Sequence, residues 1–320
     1  MSIAKSTGAL PRLISVLTTL FGISIFIFIV LRVIPGDTIT SSLGIETGVL
    51  TPEQIDDLRR YYGIDQPLVM QYFSWITSFL GGDLGFAYST GVSVLRLTLS
   101  ALPVTIELAL FGTISGVFMG IAVGMFSARK PGSIRDFLGQ FFGLLALAIP
   151  GFVLSTTIVT VMANKFGYFP NGYEYMTPWE NLGMNLQQML FPSIVLGIAV
   201  AAPIMRTTRS ALLETIDKDF VRTAYGKGLS NRIVQYRHVL RNSLIPIVTM
   251  TGIQFGYLLG GAVIVEKIFA LPGMGRQILD AINKREYATV QSSVMIFAIL
   301  FVTINLLTDL IYCRIDPRIK

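Results

Sequence analysis

The sequence predicts an all-α integral membrane protein with six transmembrane helices, an extracytoplasmic cap after the first helix and a basic cytoplasmic loop between the fourth and fifth. Three observations predict it. Charged residues are only 14% of the 320 and apolar residues are 52%, whereas soluble domains carry about 25% charged residues. The charges are clumped, and six gaps between them each supply the roughly 20 apolar residues that cross a bilayer core of about 30 Å. With the N-terminus inside, sixteen of the 25 Lys and Arg residues fall on inside segments, as the positive-inside rule requires. The same composition excludes disordered, collagen-like and disulfide-rich classes, since hydrophobicity is high and a single Cys is present.

The six stretches are Leu13 to Leu31, Leu108 to Ala128, Phe137 to Ala163, Leu182 to Met205, Asn242 to Val265 and Tyr287 to Thr308, and none contains Asp, Glu, Lys or Arg. Strands of a membrane barrel would be about 10 residues long with alternating polarity, which these are not. The first stretch is too long for the apolar core of a signal peptide, and Ile34-Pro35-Gly36-Asp37 is not a small-residue cleavage site. It is expected to remain as a span. Pro150-Gly151, Pro192 and Pro203 mark expected kinks in the third and fourth helices.

Residues 35–102 are predicted to form the cap. Thr51-Pro52 reads as an N-cap followed by Pro at the first helical position, opening a helix to Tyr62. A second short helix from Gln71 to Phe79 would carry Tyr72, Trp75, Ile76 and Phe79 on one face. Between the fourth and fifth spans, Arg206 to Arg241 holds eight basic residues against Glu214, Asp217 and Asp219. Ile216, Phe220 and Ala224 fall at i, i+4 and i+8, a narrow apolar stripe on a helix. Gly226 and Gly228 interrupt it. Ser230 is placed to cap a following helix through Arg241, with Leu229 and Val234 as a hydrophobic staple. The spacing predicts two short helices joined by a glycine turn. Such a pair suits either an amphipathic loop on anionic lipid or a partner-docking surface.

Enzyme chemistry is sparse. Gly226-Lys227-Gly228 lacks the spacing of a phosphate loop, no Gly-x-Ser-x-Gly elbow occurs, and His238 and Cys313 are the only residues of their kinds. They cannot build a metal-ligand cluster, so no catalytic, cofactor or metal site is expected on this chain. The spans carry glycine instead. Gly112, Gly116, Gly120 and Gly124 repeat along the second helix, and Gly252, Gly256 and Gly260 along the fifth. Such strips let another backbone approach closely; they serve either static packing or a sliding, path-lining surface. Glu107, four residues past Pro103, is expected to meet the positive N-terminus of the second helix. Asp309, one turn after Asn305, is either a functional intramembrane acid or the partner of a loop Arg.

The run Asp219-Phe220-Val221-Arg222-Thr223-Ala224-Tyr225-Gly226-Lys227-Gly228-Leu229, followed by Arg237 to Asn242 and Leu244-Ile245-Pro246, resembles the coupling loop of ABC importer permeases. It is most similar to the first permease of the dipeptide/oligopeptide/nickel subfamily. Other blocks agree: Arg32-Val33-Ile34-Pro35-Gly36-Asp37, Gly63 to Leu68, Gly82-Asp83-Leu84-Gly85, Leu102 to Leu108, Glu266-Lys267-Ile268-Phe269, Pro272-Gly273-Met274-Gly275 and Asp316-Pro317-Arg318. The family's usual Glu-Ala-Ala opening reads Arg222-Thr223-Ala224 here, so an acidic contact at 222 is not expected.

The resemblance implies a permease core over 103–320, with a coupling loop at 206–245, preceded by an N-terminus and first helix at 1–34 and the cap at 35–102. It implies an ATP-driven importer in a prokaryotic inner membrane, with both termini cytoplasmic. Its partners would be a second homologous permease, two ATPase subunits carrying ATP and Mg, and an extracytoplasmic solute-binding protein. Asp219, Phe220, Arg222, Thr223, Ala224 and Gly228 would form the ATPase-coupling element. Cargo would be dipeptides or oligopeptides; metal chelates including nickel, or oligosaccharides, are alternatives within the family. An ion-coupled secondary transporter is the alternative outside it.

Overall fold

The computed structural model describes residues 9–33, 51, 53, 57, 65–87, 89–167, 170 and 174–315, with side chains described over 11–308 of that range. The expected helix from Pro52 to Tyr62 lies, apart from Glu53 and Asp57, outside the described residues, as do the blocks at 34–37, 63–64 and 316–318. The helices are α1 (Ala9–Val33), α2 (Leu68–Leu80), α3 (Val94–Ala128), α4 (Ile134–Ala148), α5 (Gly151–Phe166), α6 (Leu182–Ile216), α7 (Asp219–Gly226), α8 (Asn231–Ile268), α9 (Met274–Asn283) and α10 (Tyr287–Ile315). A two-residue hairpin, β1 (Phe86–Ala87) against antiparallel β2 (Val92–Ser93), is the one departure from all-α among the described residues.

Among the described residues, five helices are long and apolar enough to cross a membrane: Pro11–Val33, Val94–Ala128, Leu182–Ile216, Asn231–Ile268 and Tyr287–Thr308. The expected third span is instead two helices, α4 and α5, bent by 94° at the break. Pro150 takes an extended backbone as the N-cap of α5, and the residue before a proline is pushed out of the helical region, so Ile149 is extended too. Among the described residues there are therefore five candidate spans, or six where the bent pair counts as one.

Three other expected boundaries move. The second helix begins at Val94 and runs through Pro103 rather than starting there. A proline inside a membrane helix costs one backbone hydrogen bond that neighbouring groups can make good. The fourth helix continues past Met205 to Ile216, which at 1.5 Å per residue makes it about 52 Å long, well beyond a bilayer core. The helix expected from Ser230 to Arg241 is continuous with the fifth span, giving 38 residues from Asn231 to Ile268. Nothing in Arg241-Asn242 breaks a helix; the join is instead a π-helical section, Val234–Leu240.

The described residues form two compact units, and each is described by itself. The first takes its members from Met1–Pro103 and Arg276–Thr303. Here α2 lies on α1: Tyr72 meets Phe28 edge-on at 5.3 Å, Trp75 stacks on Phe28 at 6.3 Å, and the Tyr72 and Ser24 hydroxyls are 2.8 Å apart. Arg32 donates twice to Gln71 Oε1, at 3.1 and 3.0 Å. The half-buried face of α2 is the expected one, Tyr72, Trp75, Ile76 and Phe79. Ile27, Leu31, Ala281 and Val290 close the core of this unit.

The second unit takes its members from Val104–Gly275 and Ile304–Lys320. Its core joins α3, α6 and α8 through Leu108, Met189, Leu196, Val200, Ile204, Leu258 and Val265, among others. Helix α4 packs inside-out relative to a soluble helix: Asp136, Gly139 and Gly143 face inward while Phe137, Phe141, Phe142 and Leu144 are exposed. Lipid tails are as apolar as leucine, so only small and polar groups gain by facing another helix.

Candidate functional site

The basic connection between α6 and α8 folds as a short lever clamped to both helices. Val221 and Ala224 on α7, Leu212 near the end of α6, Ala128 at the end of α3, and Val234 and Val239 on α8 form one small buried cluster. Leu229, Leu213 and Ile216 pack against it. The expected docking stripe is therefore corrected. Ala224 is 4% exposed and belongs to this internal cluster, and Val221 takes the place beside it. Asp219, Phe220, Arg222, Thr223, Tyr225 and Gly228 lie on the open side. The i, i+4 stripe from Ile216 fails because α6 ends there, and Asp217 and Lys218 reset the helix phase before α7.

The turn after α7 is a Schellman motif. The Gly228 N–H donates to Tyr225 O at 2.9 Å and the Leu229 N–H to Ala224 O at 3.4 Å, with Gly228 at φ +77°. Leu229 and Ala224 complete it as the accompanying apolar pair. Ser230 takes the extended N-cap backbone of the following helix but makes no side-chain cap bond; Leu229 and Val234 sit in one cluster, as a staple would place them. At the base of the lever, Asn242 Nδ2 donates to His238 O at 2.7 Å, satisfying a carbonyl of the π-helical section. The buried Ser243 Oγ lies 3.0 Å from both Val239 O and Thr215 Oγ1, so α6 and α8 are tied where the lever leaves them.

Gly228→Val forces a β-branched residue into the left-handed region, where a non-glycine residue costs about 1–2 kcal/mol. No atom lies within 4 Å of the new Cβ, so the effect is conformational. A roughly 5–30-fold rise in tryptic cleavage at Lys227 is expected, measured by limited proteolysis of the purified chain. Wild-type cleavage kinetics would show that the turn does not hold α7.

The first glycine strip is filled. A Cβ on Gly112 would lie 3.0 Å from Leu196 Cβ, one on Gly116 2.8 Å from Val200 Cβ, one on Gly120 2.8 Å from Ile204 Cβ, and one on Gly124 2.7 Å from Thr208 Cβ. Every fourth residue of α6 thus seats over a glycine of α3. The second strip is not one surface: Gly252 meets Thr308 on α10, Gly256 is buried, and Gly260 faces open space. The open surface is instead a groove of about 380 Å³ walled by Pro150 and Phe152 at the helix break, Leu196 and Val200 on α6, and Gln254 and Tyr257 on α8.

Glu107 lies more than three turns inside α3, not at a helix N-terminus. Its Oε2 accepts a hydrogen bond of 2.6 Å from Tyr175 Oη, and the fully buried Asn185 donates to the same hydroxyl and to Met176 O. Burial and then the Glu107 carboxylate push the Tyr175 phenol above its ordinary value, which keeps it a donor. The side chains of Asp309 and Cys313 lie outside the described residues, and no group of three or more metal-ligating residues occurs among the described ones.

Two polar constellations escape sequence reasoning. Asp136 accepts two hydrogen bonds from Arg209, both 2.7 Å, pinning α4 to α6. The trace in the sequence is one acid at the start of an apolar run and one of several bases just past the end of another. Glu266, with no exposed surface, accepts from Thr105 Oγ1 at 2.7 Å, which in turn accepts from Met274 N at 2.9 Å. A Cβ at Gly273 would run into the Glu266 carboxylate, and one at Gly275 would lie 2.5 Å from Val263 Cα. The blocks at 266–269 and 272–275 are thus the two halves of one lock.

Residues 120–320 match the profile described as binding-protein-dependent transport system inner membrane component, and residues 9–109 match its N-terminal companion. The dipeptide transport system permease protein DppB of Alkalihalophilus pseudofirmus is 34% identical over 98% of this chain and 98% of its own length. The glutathione transport system permease protein GsiC of Escherichia coli strain K12 is 33% identical, covering 97% and 98%. The probable peptide ABC transporter permease protein y4tP of Sinorhizobium fredii is 34% identical, also covering 97% and 98%. Among solved structures, an inward-facing MetNI methionine ABC transporter aligns at a TM-score of 0.56 and 16% identity, over 69% of this chain and 97% of that one. An amino acid ABC transporter aligns at 0.52 and 16%, over 68% and 94%.

Proposed function

Because this chain belongs to the family of binding-protein-dependent transport system inner membrane components, we propose that it is the membrane-spanning permease of an ATP-driven peptide importer, acting as a lever rather than an enzyme. The relatives named for dipeptides, peptides and glutathione support peptide cargo. In this reading the chain sits in a prokaryotic inner membrane with both termini cytoplasmic, and the segment between α1 and α3 forms the outer cap. It pairs with a second, homologous permease. Two ATPase subunits carry the ATP and Mg below, and a solute-binding protein delivers cargo above.

The observation that carries the reading is the two-sidedness of α7. Its inner face, Val221 and Ala224, is locked to the ends of α3, α6 and α8, while Phe220 and Tyr225 stand 39% and 42% exposed among Arg222 and Thr223. An exposed aromatic on a short helix is a poor investment of surface unless a groove receives it. Force on Phe220 passes through the internal cluster into α6 and α8 as rigid bodies, because packed interiors do not deform continuously. The lever thus moves the two helices that wall the open groove, and cargo passes along that face.

Phe220→Asp is expected to reduce co-purification of the ATPase subunits about tenfold or more, with the chain's own melting temperature unchanged, since the side chain is half open. Ala224→Asp tests something else, because a charge in the internal cluster unfolds the lever itself. Uptake of a radiolabelled dipeptide into vesicles holding the assembled complex should need internal ATP and survive collapse of ion gradients. Uptake that follows the gradient without ATP would instead mean an ion-coupled carrier.

A further inference from the structure

A basic cleft opens at the end of α3 where the lever joins α8. Its walls are Arg129, Asn231, Arg232, Gln235 and Tyr236, around a volume of about 610 Å³. A second cleft of about 350 Å³, walled by Arg232, Ile233, Tyr236 and Arg237, shares Arg232 and Tyr236 with it. Arg129 Nη2 donates to Tyr236 Oη at 3.4 Å, so the two sides of the first cleft are bridged. Among the described residues no carboxylate pairs with Arg129, Arg232 or Arg237; of the acids of this connection, Glu214 pairs with Lys218 and Asp219 with Arg222.

We propose that this cleft holds the phosphate headgroup of an anionic phospholipid. Two guanidiniums lacking a carboxylate counter-ion, Arg129 and Arg232, line this cleft, with Arg237 in the adjoining one, and a guanidinium fork matches phosphate oxygens bidentately. The depth is right for a lipid. Arg129 directly follows the last residue of the α3 span, and Arg237 stands one turn and a little before Asn242, where the apolar run of α8 begins. Tyr236 and Ile233, 47% and 44% exposed, present the mixed polar and apolar surface that settles at a membrane interface. A lipid seated here touches α3 and the π-helical joint of α8 together, and so stiffens the base of the lever.

The inference rests on the membrane-spanning fold and not on ATPase coupling, so the two can fail separately. The full chain is reconstituted in nanodiscs of phosphatidylcholine with added phosphatidylglycerol, and retained lipid is read by native mass spectrometry after mild detergent extraction. One phosphatidylglycerol retained per chain in preference to phosphatidylcholine is expected. Retention should fall about fivefold for Arg129→Gln or Arg232→Gln and about 25-fold for the pair, with Arg222→Gln, outside the cleft, unchanged. Equal retention of the two lipids, or no change in the double variant, overturns the proposal. So does displacement of phosphatidylglycerol by millimolar inorganic phosphate alone, which would make the ligand a free anion. If the double variant instead loses the ATPase subunits while keeping phosphatidylglycerol, the cleft belongs to a protein interface and the proposal is wrong.

Discussion

Gly120→Val is expected to abolish accumulation of folded chain in the membrane, and Gly116→Val to do nearly the same. A bare Cβ at Gly120 already lies 2.8 Å from the Ala201 carbonyl oxygen, and one at Gly116 lies 2.9 Å from that of Gly197. These obstacles are backbone atoms of α6, which cannot rotate away as a side-chain tip can. Relief requires α3 and α6 to separate along the whole strip, which forfeits the dispersion contacts that hold membrane helices together. Overpacking costs about 1–3 kcal/mol per site even where side chains can adjust, and here they cannot. Thermal unfolding of the detergent-solubilised chain measures it, with Gly116→Ala and Gly120→Ala giving a graded loss. Gly260→Ala is the control, because no atom lies within 4 Å of the new Cβ; it should be neutral or slightly stabilising through helix propensity. Wild-type melting of Gly120→Val would mean that the α3–α6 contact is not the close one described.

The second large effect concerns Asp136 and Arg209. Their side chains are 3% and 24% exposed and joined by a bidentate pair at 2.7 Å. Removing one partner of a buried pair strands the other charge, at about 3–5 kcal/mol, and the partial opening of Arg209 puts the expected cost near the lower end. Asp136→Leu and Arg209→Met should each destabilise by about 3 kcal/mol. The double variant should recover most of the loss, because two apolar groups strand no charge. Asp136 also accepts from Gly132 N and Gln140 Nε2, so the turn between α3 and α4 should loosen in the single Asp136 variant. Additive single losses in the double-mutant cycle would show the pair to be incidental.

The two effects bear differently on how this protein can be read. The glycine strip at 112–124 is plain in the sequence, but its partner is not. That Leu196, Val200, Ile204 and Thr208 fill it depends on which helix the fold lays beside α3. The similar spacing at 252, 256 and 260 makes no such seam. Spacing records that a close approach is possible, and only the neighbour decides whether it happens. The same holds for α7. Its composition marks an amphipathic helix, yet which side faces inward is fixed by the ends of α3, α6 and α8, which take Val221 and Ala224 and leave Phe220 out.

The sequence by itself determined five of the spans, the small α2 with its aromatic face, the glycine turn at Gly228, and the kind of protein this is. Hydropathy, turn geometry and short motifs act within a few residues, so local reading suffices for them. The tertiary structure alone decided that the third span breaks at Pro150 and that α6 and α8 run far beyond the apolar stretches. It alone joined Asp136 to Arg209, Glu107 to Tyr175 and Glu266 to Thr105. Each of those pairs spans 68 residues or more of chain. A lone charge carries no mark of its partner until burial in an apolar surrounding makes pairing obligatory.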